Sequence, residues 1–509
     1  MISRTLVSIL MITLSLSLPV RAQQKPSQPR PDFSEVRKLI QTQMEARKIP
    51  SVSIAVARHG EILWEEAFGF ADKEKGIRAN SETMYYVASV TKTFTATALK
   101  VLEERKQIDF NRPINDYLKP MAVTSPLWDP KEATVGKVAT HMSGLTTFGR
   151  NCWADQPGCR IEAGETIKRY GILFWRPGDH FDYSNLGYGI LGEAIQHASG
   201  KGYANFMRND VFLPLGMNRA SVGIGPGLEK YAAVRYSLIN GRRPVAYSAS
   251  PGASGIYCSA HGLALFGMFH VKAHLPNQKA ILSDESIDVM QNSTVSTGGS
   301  SRYGLGWWVH EDLNGYRGLL GQGGTDDAMA FLRLIPSEEI VVVVLTNTGD
   351  DFPPKIVDEI LSELLPTFKA NRAIAKPPQP KSETRPSTAL VGNWTGHVHT
   401  YRKDLPLTFS ISASGEVSAK FGAVSSSALN KFEFMERGFV GRLSGGNLGA
   451  DEDTGTEPYD FDVELYVKGE TLYGAVTTRP RPGDFRGARL SYWVELKRDA
   501  APITRKVVE

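Results

Sequence analysis

The spacing of apolar and polar positions changes along this chain, and the changes mark its organisation. Residues Phe33–Ala46 carry apolar side chains at helical spacing and predict a helix. Ser51–Arg58 and Glu61–Ala67 read as two strands joined at His59-Gly60. Helical patterns fill Lys92–Glu104 and much of 185–215; strands return at Trp307–Glu311 and 328–346, and Lys355–Leu365 predicts a closing helix. A hairpin at one end, helices in the middle and strands at the other end predict an α+β fold, an antiparallel sheet flanked by helices.

The second pattern begins after a break. Ala375-Lys376-Pro377-Pro378-Gln379-Pro380-Lys381 is stiff, polar and poor in apolar residues, so residues 367–387 read as a linker. Beyond it the period drops to two. Leu405, Leu407, Phe409 and Ile411 alternate with other residues, as do Phe461, Val463, Leu465 and Val467, then Leu490, Tyr492, Val494 and Leu496. That spacing predicts a small antiparallel β-barrel over 388–497, with 498–509 as a tail. The opening phrase Gly392-Asn393-Trp394 resembles the first strand of lipocalin-like small barrels. A chain of 509 residues exceeds one ordinary domain, and these patterns divide it at the linker, leaving 35–366 as the larger unit.

The N-terminus has a different character. Arg4, the apolar run Leu6–Leu18 and Val20-Arg21-Ala22 read as a cleavable secretory signal over residues 1–22, and residues 23–34 as a polar tether. The run is too short to span a bilayer. The expectation is a periplasmic or secreted protein without a membrane span. Without Arg4 and Arg21 the formal net charge falls from +4 to +2, with no basic stripe, which argues against nucleic acid as a partner. In an oxidising compartment, Cys152 and Cys159, seven apart, form a natural small disulfide loop. Cys258 reads as a small buried apolar residue.

The chemistry starts at Ser89-Val90-Thr91-Lys92. Residues three apart share one face of a helix, so Ser89 and Lys92 point into the same pocket. A serine hydroxyl needs a base to become a nucleophile, and a lysine serves once burial lowers its pKa. No other serine in the chain has a lysine three residues on. Downstream come Tyr183-Ser184-Asn185, leading into a helical run, and Gly321-Gln322-Gly323-Gly324-Thr325, leading into strands. These three elements, in this order and at this spacing, resemble the penicillin-recognising serine hydrolases. The nearest branch is that of class C β-lactamase-related esterases, D-aminopeptidases and serine peptidases. Thr140-His141-Met142-Ser143-Gly144-Leu145 and Tyr303-Gly304-Leu305-Gly306-Trp307 add to the likeness, which covers about residues 35–366.

The resemblance implies a β-lactamase-like fold, one sheet built from both chain ends plus an all-helical lobe, with the site between them. It implies Ser89 as nucleophile of an acyl-enzyme, and Lys92 or Tyr183 as its base, a cationic Lys92 favouring the Tyr183 phenolate. Asn185 would orient Lys92 and meet the substrate's carbonyl region, and the N–H groups of Ser89 and Thr325 would form the oxyanion hole. The third motif departs from the family: where relatives carry Lys-Thr-Gly or His-x-Gly, this chain has Gln322-Gly323-Gly324. Gln322 cannot neutralise a substrate carboxylate, which points to neutral esters, amides or peptides rather than β-lactams. Asp326 and Asp327 read either as a lure for a substrate amine or as a solvated turn. The pair His397 and His399 lacks a third ligand, and no cofactor is implied. A protein that keeps the pocket only to bind peptidoglycan fragments is the alternative to a hydrolase.

Overall fold

The computed structural model describes residues 31–156, 162–373, 385–421, 427–428, 430–446, 459–481 and 483–499. The α+β expectation holds. Nine antiparallel strands among the described residues form the main sheet, and its middle joins the two ends of the larger unit: Ser51–Arg58 pairs with Ile340–Thr346, in the register Val52 to Thr346 through Arg58 to Ile340. Glu61–Asp72 follows on one side; on the other lie Ala328–Ile335, Tyr316–Thr325 and Trp308–Leu313. Predicted and observed strands agree closely, although the second runs five residues further than its apolar pattern reached.

Alternation along the central strands explains the layers. Ile54, Val56, Val342 and Val344 face the helices Ser34–Arg47 and Pro353–Leu364, meeting Val36, Ile40, Ile356 and Ile360. Ala55, Ala57, Val341, Val343 and Leu345 face the opposite way, into the core that contains Phe94 and Phe266 of the helices Thr91–Glu104 and Ala260–His270. With helices on both faces, every residue of Ile340–Thr346 is buried.

The Thr91–Glu104 helix is buried from Thr91 to Leu102, all round, as a central helix must be. Its threonines are poor helix formers, and burying their hydroxyls would be costly without partners. Thr93, Thr95 and Thr97 each donate to a carbonyl one turn back, at 2.8, 3.2 and 2.8 Å. Tertiary packing, not propensity, holds this helix.

The C-terminal region is a second nine-stranded antiparallel sheet among the described residues, in which Gly392–His399 pairs with both Asp404–Ile411 and the last strand, Ser491–Arg498. It curls as the period-two reading requires: Leu407, Phe409, Ile411, Tyr459, Phe461, Val463 and Leu465 are all buried on one face. Its edge strands, Ser427–Ala428 and Asn430–Met435, are neighbours in sequence, which is the connectivity of an up-and-down barrel. Residues 367–372, assigned to the linker from sequence, belong to a helix instead (Pro366–Arg372), because Phe368 finds a buried place against the preceding helix. Among the described residues no helix is long and apolar enough to cross a membrane. The expected signal segment lies outside the described residues.

Leu345, fully buried in the central strand, sets a stability test. Leu345→Ala should cost about 2–5 kcal/mol through lost burial and a residual cavity. Denaturant midpoints check it; an unchanged midpoint would mean the sheet is not the core of the larger unit.

Candidate active site

Ser89 sits in a single 3-10 turn, Ala88–Val90, immediately before the Thr91–Glu104 helix. Ala88 adopts φ +44°, a left-handed conformation that costs an ordinary residue about 1–3 kcal/mol and is sustained here by full burial. Ser89 is partly exposed while the residues on either side of it are buried, so the turn presents one hydroxyl to a cavity.

Lys92 lies one turn on, with only 1% of its surface exposed. Its Nζ is 3.0 Å from Ser89 Oγ, 2.6 Å from Asn185 Oδ1 and 3.1 Å from the Ala253 carbonyl oxygen. The last two atoms can only accept, so they claim two N–H bonds of the amine. The third tetrahedral direction points at Ser89. Burial holds the Lys92 pKa well below the ordinary lysine value. In the neutral amine that third direction carries the lone pair, and Ser89 O–H donates into it.

Tyr183 stands beside the same amine, its ring centroid 4.7 Å from Lys92 Nζ. The ring stacks on Trp308 at 6.0 Å and tilts against His141 at 4.5 Å. Burial pushes its hydroxyl up to about 12, and the hydrogen bond with Ser89 offsets only part of the rise. Burial thus opposes the phenolate that a cationic Lys92 would favour.

Asn185 is held by its neighbour. Ser184 caps the Asn185–Ser199 helix, its Oγ accepting from Gly187 N–H at 2.8 Å and donating to the Thr146 carbonyl at 2.7 Å. The Ser184 N–H donates to His141 Nδ1 at 3.0 Å. His141 is buried, and burial holds its pKa well below the ordinary histidine value, which suits an acceptor nitrogen. The middle residue of Tyr183-Ser184-Asn185, a mere spacer in sequence, anchors both of its neighbours.

The strand Tyr316–Thr325 closes the site. A Cβ on Gly323 would lie 2.3 Å from the Val87 carbonyl oxygen and 2.5 Å from Ser89 N, so only glycine lets the strand approach the nucleophile turn. Ser89, Asn185, Gly324 and Thr325 line one cavity of about 140 Å³, together with Tyr86, Phe148, Gly149, Arg150, Asn151 and three serines, Ser248, Ser250 and Ser254. Lys92, Tyr183 and Gly323 stand behind Ser89. Gln322 does not join them: it is exposed, alternates away from the face through which Gly321 and Gly323 meet the nucleophile turn, and is not among the cavity-lining residues.

The two acidic residues of the next turn are neither an amine lure nor simply solvated. Asp327 is buried and pairs with Arg235 at 3.1 Å; Asp326 pairs with Arg243. Thr325 Oγ1 donates to Asp327 Oδ1 at 2.6 Å. Cys152 is buried in the strand Asn151–Trp153 at the cavity rim, and its expected partner Cys159 lies outside the described residues. Burial pushes the Cys258 thiol up, which leaves it without nucleophilic character. His399 meets Asp404 at 2.9 Å, and no group of three or more potential metal ligands occurs among the described residues.

A serine whose hydroxyl lies 3.0 Å from a buried amine of lowered pKa, beside a buried phenol, is a site suited to acyl transfer. Comparison with known proteins places it. The beta-lactamase family model matches residues 36–364, and the chain belongs to that family of serine acyl-transferring hydrolases. It is 24% identical over 339 residues to Protein flp of Staphylococcus aureus (strain N315), a match over 65% of this chain and 66% of that protein, just under two thirds of its length. Among solved structures, the octameric penicillin-binding protein homologue from Pyrococcus abyssi aligns with TM-score 0.57 and 21% identity, covering 92% of this chain and all of its own. SurE aligns with TM-score 0.60 and 20% identity, covering 91% of this chain and 98% of its own. At such identities the structural likeness is one of fold.

Two measurements follow from the geometry. Gly323→Ala should lower Ser89 acylation about 100-fold while the chain still folds, because the new methyl displaces the Ser89 N–H by more than an oxyanion donor tolerates. Wild-type acylation in that variant would mean the strand can retreat freely. The pH–rate profile should rise as Lys92 loses its proton, with its ascending limb well below pH 10.5 and no loss from Tyr183 ionisation until about 12. An ascending limb at the ordinary lysine value would show Lys92 to be solvated.

Proposed function

We propose that this chain is an exported serine hydrolase that forms an acyl-enzyme on Ser89 and acts on small esters, amides or peptides rather than as a true β-lactamase. The distance of 3.0 Å between Lys92 Nζ and Ser89 Oγ, with the other two directions of the amine occupied by acceptors, is the observation that carries this reading. Ser89 Oγ attacks the acyl carbon as its proton passes to the Lys92 lone pair. The carbonyl oxygen gathers charge between the N–H groups of Ser89 and Thr325, donors commonly worth about 2.7–4 kcal/mol in the transition state. Tyr183, held as a phenol, gives a proton to the leaving oxygen or nitrogen and recovers it from the Lys92 ammonium. Water then attacks the acyl-enzyme by the reverse route.

Burial of Lys92 with Tyr183 pressed against it favours Lys92 as the base and Tyr183 as the acid. One observation favours a second reading: Arg150 lines the cavity, and a guanidinium there suits a substrate that carries a carboxylate on its rim side. The apolar run Leu6–Leu18 supports export through a cleaved signal.

Hydrolysis of p-nitrophenyl acetate and of mono-p-nitrophenyl succinate by the mature protein, beside Ser89→Ala, tests the proposal. Turnover of the acetate that vanishes in Ser89→Ala is expected. A marked preference for the succinate would select the carboxylate reading. Equal background with both proteins on both esters would sink the hydrolase and leave a pocket that only binds.

A further inference from the structure

The C-terminal sheet meets the larger unit through the connection between its last two strands, Thr471–Arg479 and Ser491–Arg498. This connection lies against both walls of the Ser89 cavity. One wall is the run Phe148–Asn151. Gly149 and Arg489 exchange backbone hydrogen bonds at 2.8 and 2.7 Å, Ser491 Oγ donates to the Thr147 carbonyl at 3.1 Å, and Arg486 meets Asp155 with both nitrogens, at 3.1 and 2.7 Å. The wall then pairs Asn151 with Ser248, another lining residue. The second wall is Gly324-Thr325, fixed at its turn by the Arg243–Asp326 ion pair.

Phe485 touches a residue next to each wall. Its ring packs edge-on against Trp153 at 4.8 Å, two residues beyond the first wall. The same ring lies 3.7 Å from the centre of the Arg243 guanidinium. Arg243 is buried, and its Nε and Nη1 have no hydrogen-bond partner among the described residues. Close packing holds this buried guanidinium in place of the missing hydrogen bonds, and the aromatic face of Phe485 is one restraint on its plane. Without it, the Asp326 corner beside Thr325 loses one of its restraints, the others being the Arg235–Asp327 pair and the Thr325–Asp327 bond.

We propose that Phe485 is a positioning residue for the Ser89 site: one ring from the C-terminal sheet holds the rim wall through Trp153 and the oxyanion turn through Arg243 and Asp326. The proposal rests on the hydrolase reading for its consequence, but its geometry is testable without turnover. Misplacing an oxyanion donor removes stabilisation made in the transition state, so kcat should fall with KM little changed. Loosening the rim should alter which acyl groups fit.

The test uses the full chain with Phe485→Ala, Phe485→Tyr and Asp326→Asn. Phe485 is only partly buried, so the alanine variant should fold; Asp326→Asn probes the other end of the link if it does not. Phe485→Ala should lower kcat for p-nitrophenyl acetate about tenfold and change the acetate-to-hexanoate rate ratio at least threefold, a ratio that misfolded fractions cannot shift. Phe485→Tyr should restore both. The double variant with Asp326→Asn should lose no more kcat than the worse single one. Amide hydrogen exchange over 323–328 should quicken about tenfold in Phe485→Ala. Wild-type exchange and an unchanged rate ratio would overturn the proposal. Quickened exchange in a chain that hydrolyses neither ester would remove the hydrolase reading and leave Phe485 holding the turn.

Discussion

The site depends on burying one primary amine. An ammonium taken from water into a packed interior loses several kcal/mol of solvation, and burial accordingly holds the Lys92 pKa well below the ordinary lysine value. The surroundings of Lys92 are arranged so that this is the better outcome. Two acceptors, Asn185 Oδ1 and the Ala253 carbonyl, satisfy the two N–H bonds that a neutral amine keeps, and neither carries the full negative charge that would favour the ammonium. Aromatic rings enclose it, Tyr183 at 4.7 Å and Tyr188 at 5.7 Å, and their faces attract a cation modestly. That attraction is worth less than the lost hydration, so desolvation decides the protonation state. The same burial works in the opposite sense on Tyr183, whose charged form is the deprotonated one. One dry environment thus moves the pKa values of an amine and a phenol beside one serine in opposite directions.

Holding that arrangement is the task of the larger unit. The amine stays dry because the helix that carries it is buried all round. The helix tolerates burial because its threonines bond their own backbone. The strand Tyr316–Thr325 reaches the nucleophile because Gly323 has no side chain, and it stays there because it belongs to a sheet whose central strands come from both ends of the unit. Rigidity passes from the sheet to Thr325, and from the cap at Ser184 to Tyr183 and Asn185. A misplacement of half an ångström at either point would cost more rate than the loss of most single contacts.

Much of this was legible in sequence because it is written in short-range patterns. Ser89 and Lys92 are three apart on a helix, Tyr183 and Asn185 flank a helix start, and the strands announce themselves by alternation or by continuous apolar runs. Gln322 was misplaced: the motif order put it in the site, but period-two alternation along its own strand turns it away from the nucleophile face. The choice between Lys92 and Tyr183 as base stayed open in sequence for a different reason, since it depends on burial that no local pattern encodes. The Ala253 carbonyl was invisible because any residue has one, and only the fold brings it 161 positions to Lys92. Arg235 and Arg243 carry no signal either; their partners Asp327 and Asp326 are adjacent, so a turn that reads as acidic in sequence is neutralised in space.

The C-terminal sheet shows where alternation stops being a complete description. Period two identified one buried face, and Leu407, Phe409, Phe461 and Leu465 confirm it, but it left the other face to water. In the structure Trp493 and Ala475 on that other face are buried against Phe174 and Trp175, and Trp175 donates its indole N–H to Asp182 at 2.9 Å. Asp182 precedes Tyr183 directly. Burial and the nearby Glu464 of the C-terminal sheet raise its carboxyl to about 7, with the Trp175 bond offsetting little. Because its folded pKa lies above its unfolded one, its contribution to stability is fully present below about pH 4 and is lost as pH rises through 7. The indole bond works in the opposite sense, since an N–H donor favours the carboxylate, so the contact with Trp175 strengthens as burial beside Glu464 becomes costly. The segment leading into Tyr183-Ser184-Asn185 is therefore packed by both sheets, through Trp175 on one side and Glu464 on the other.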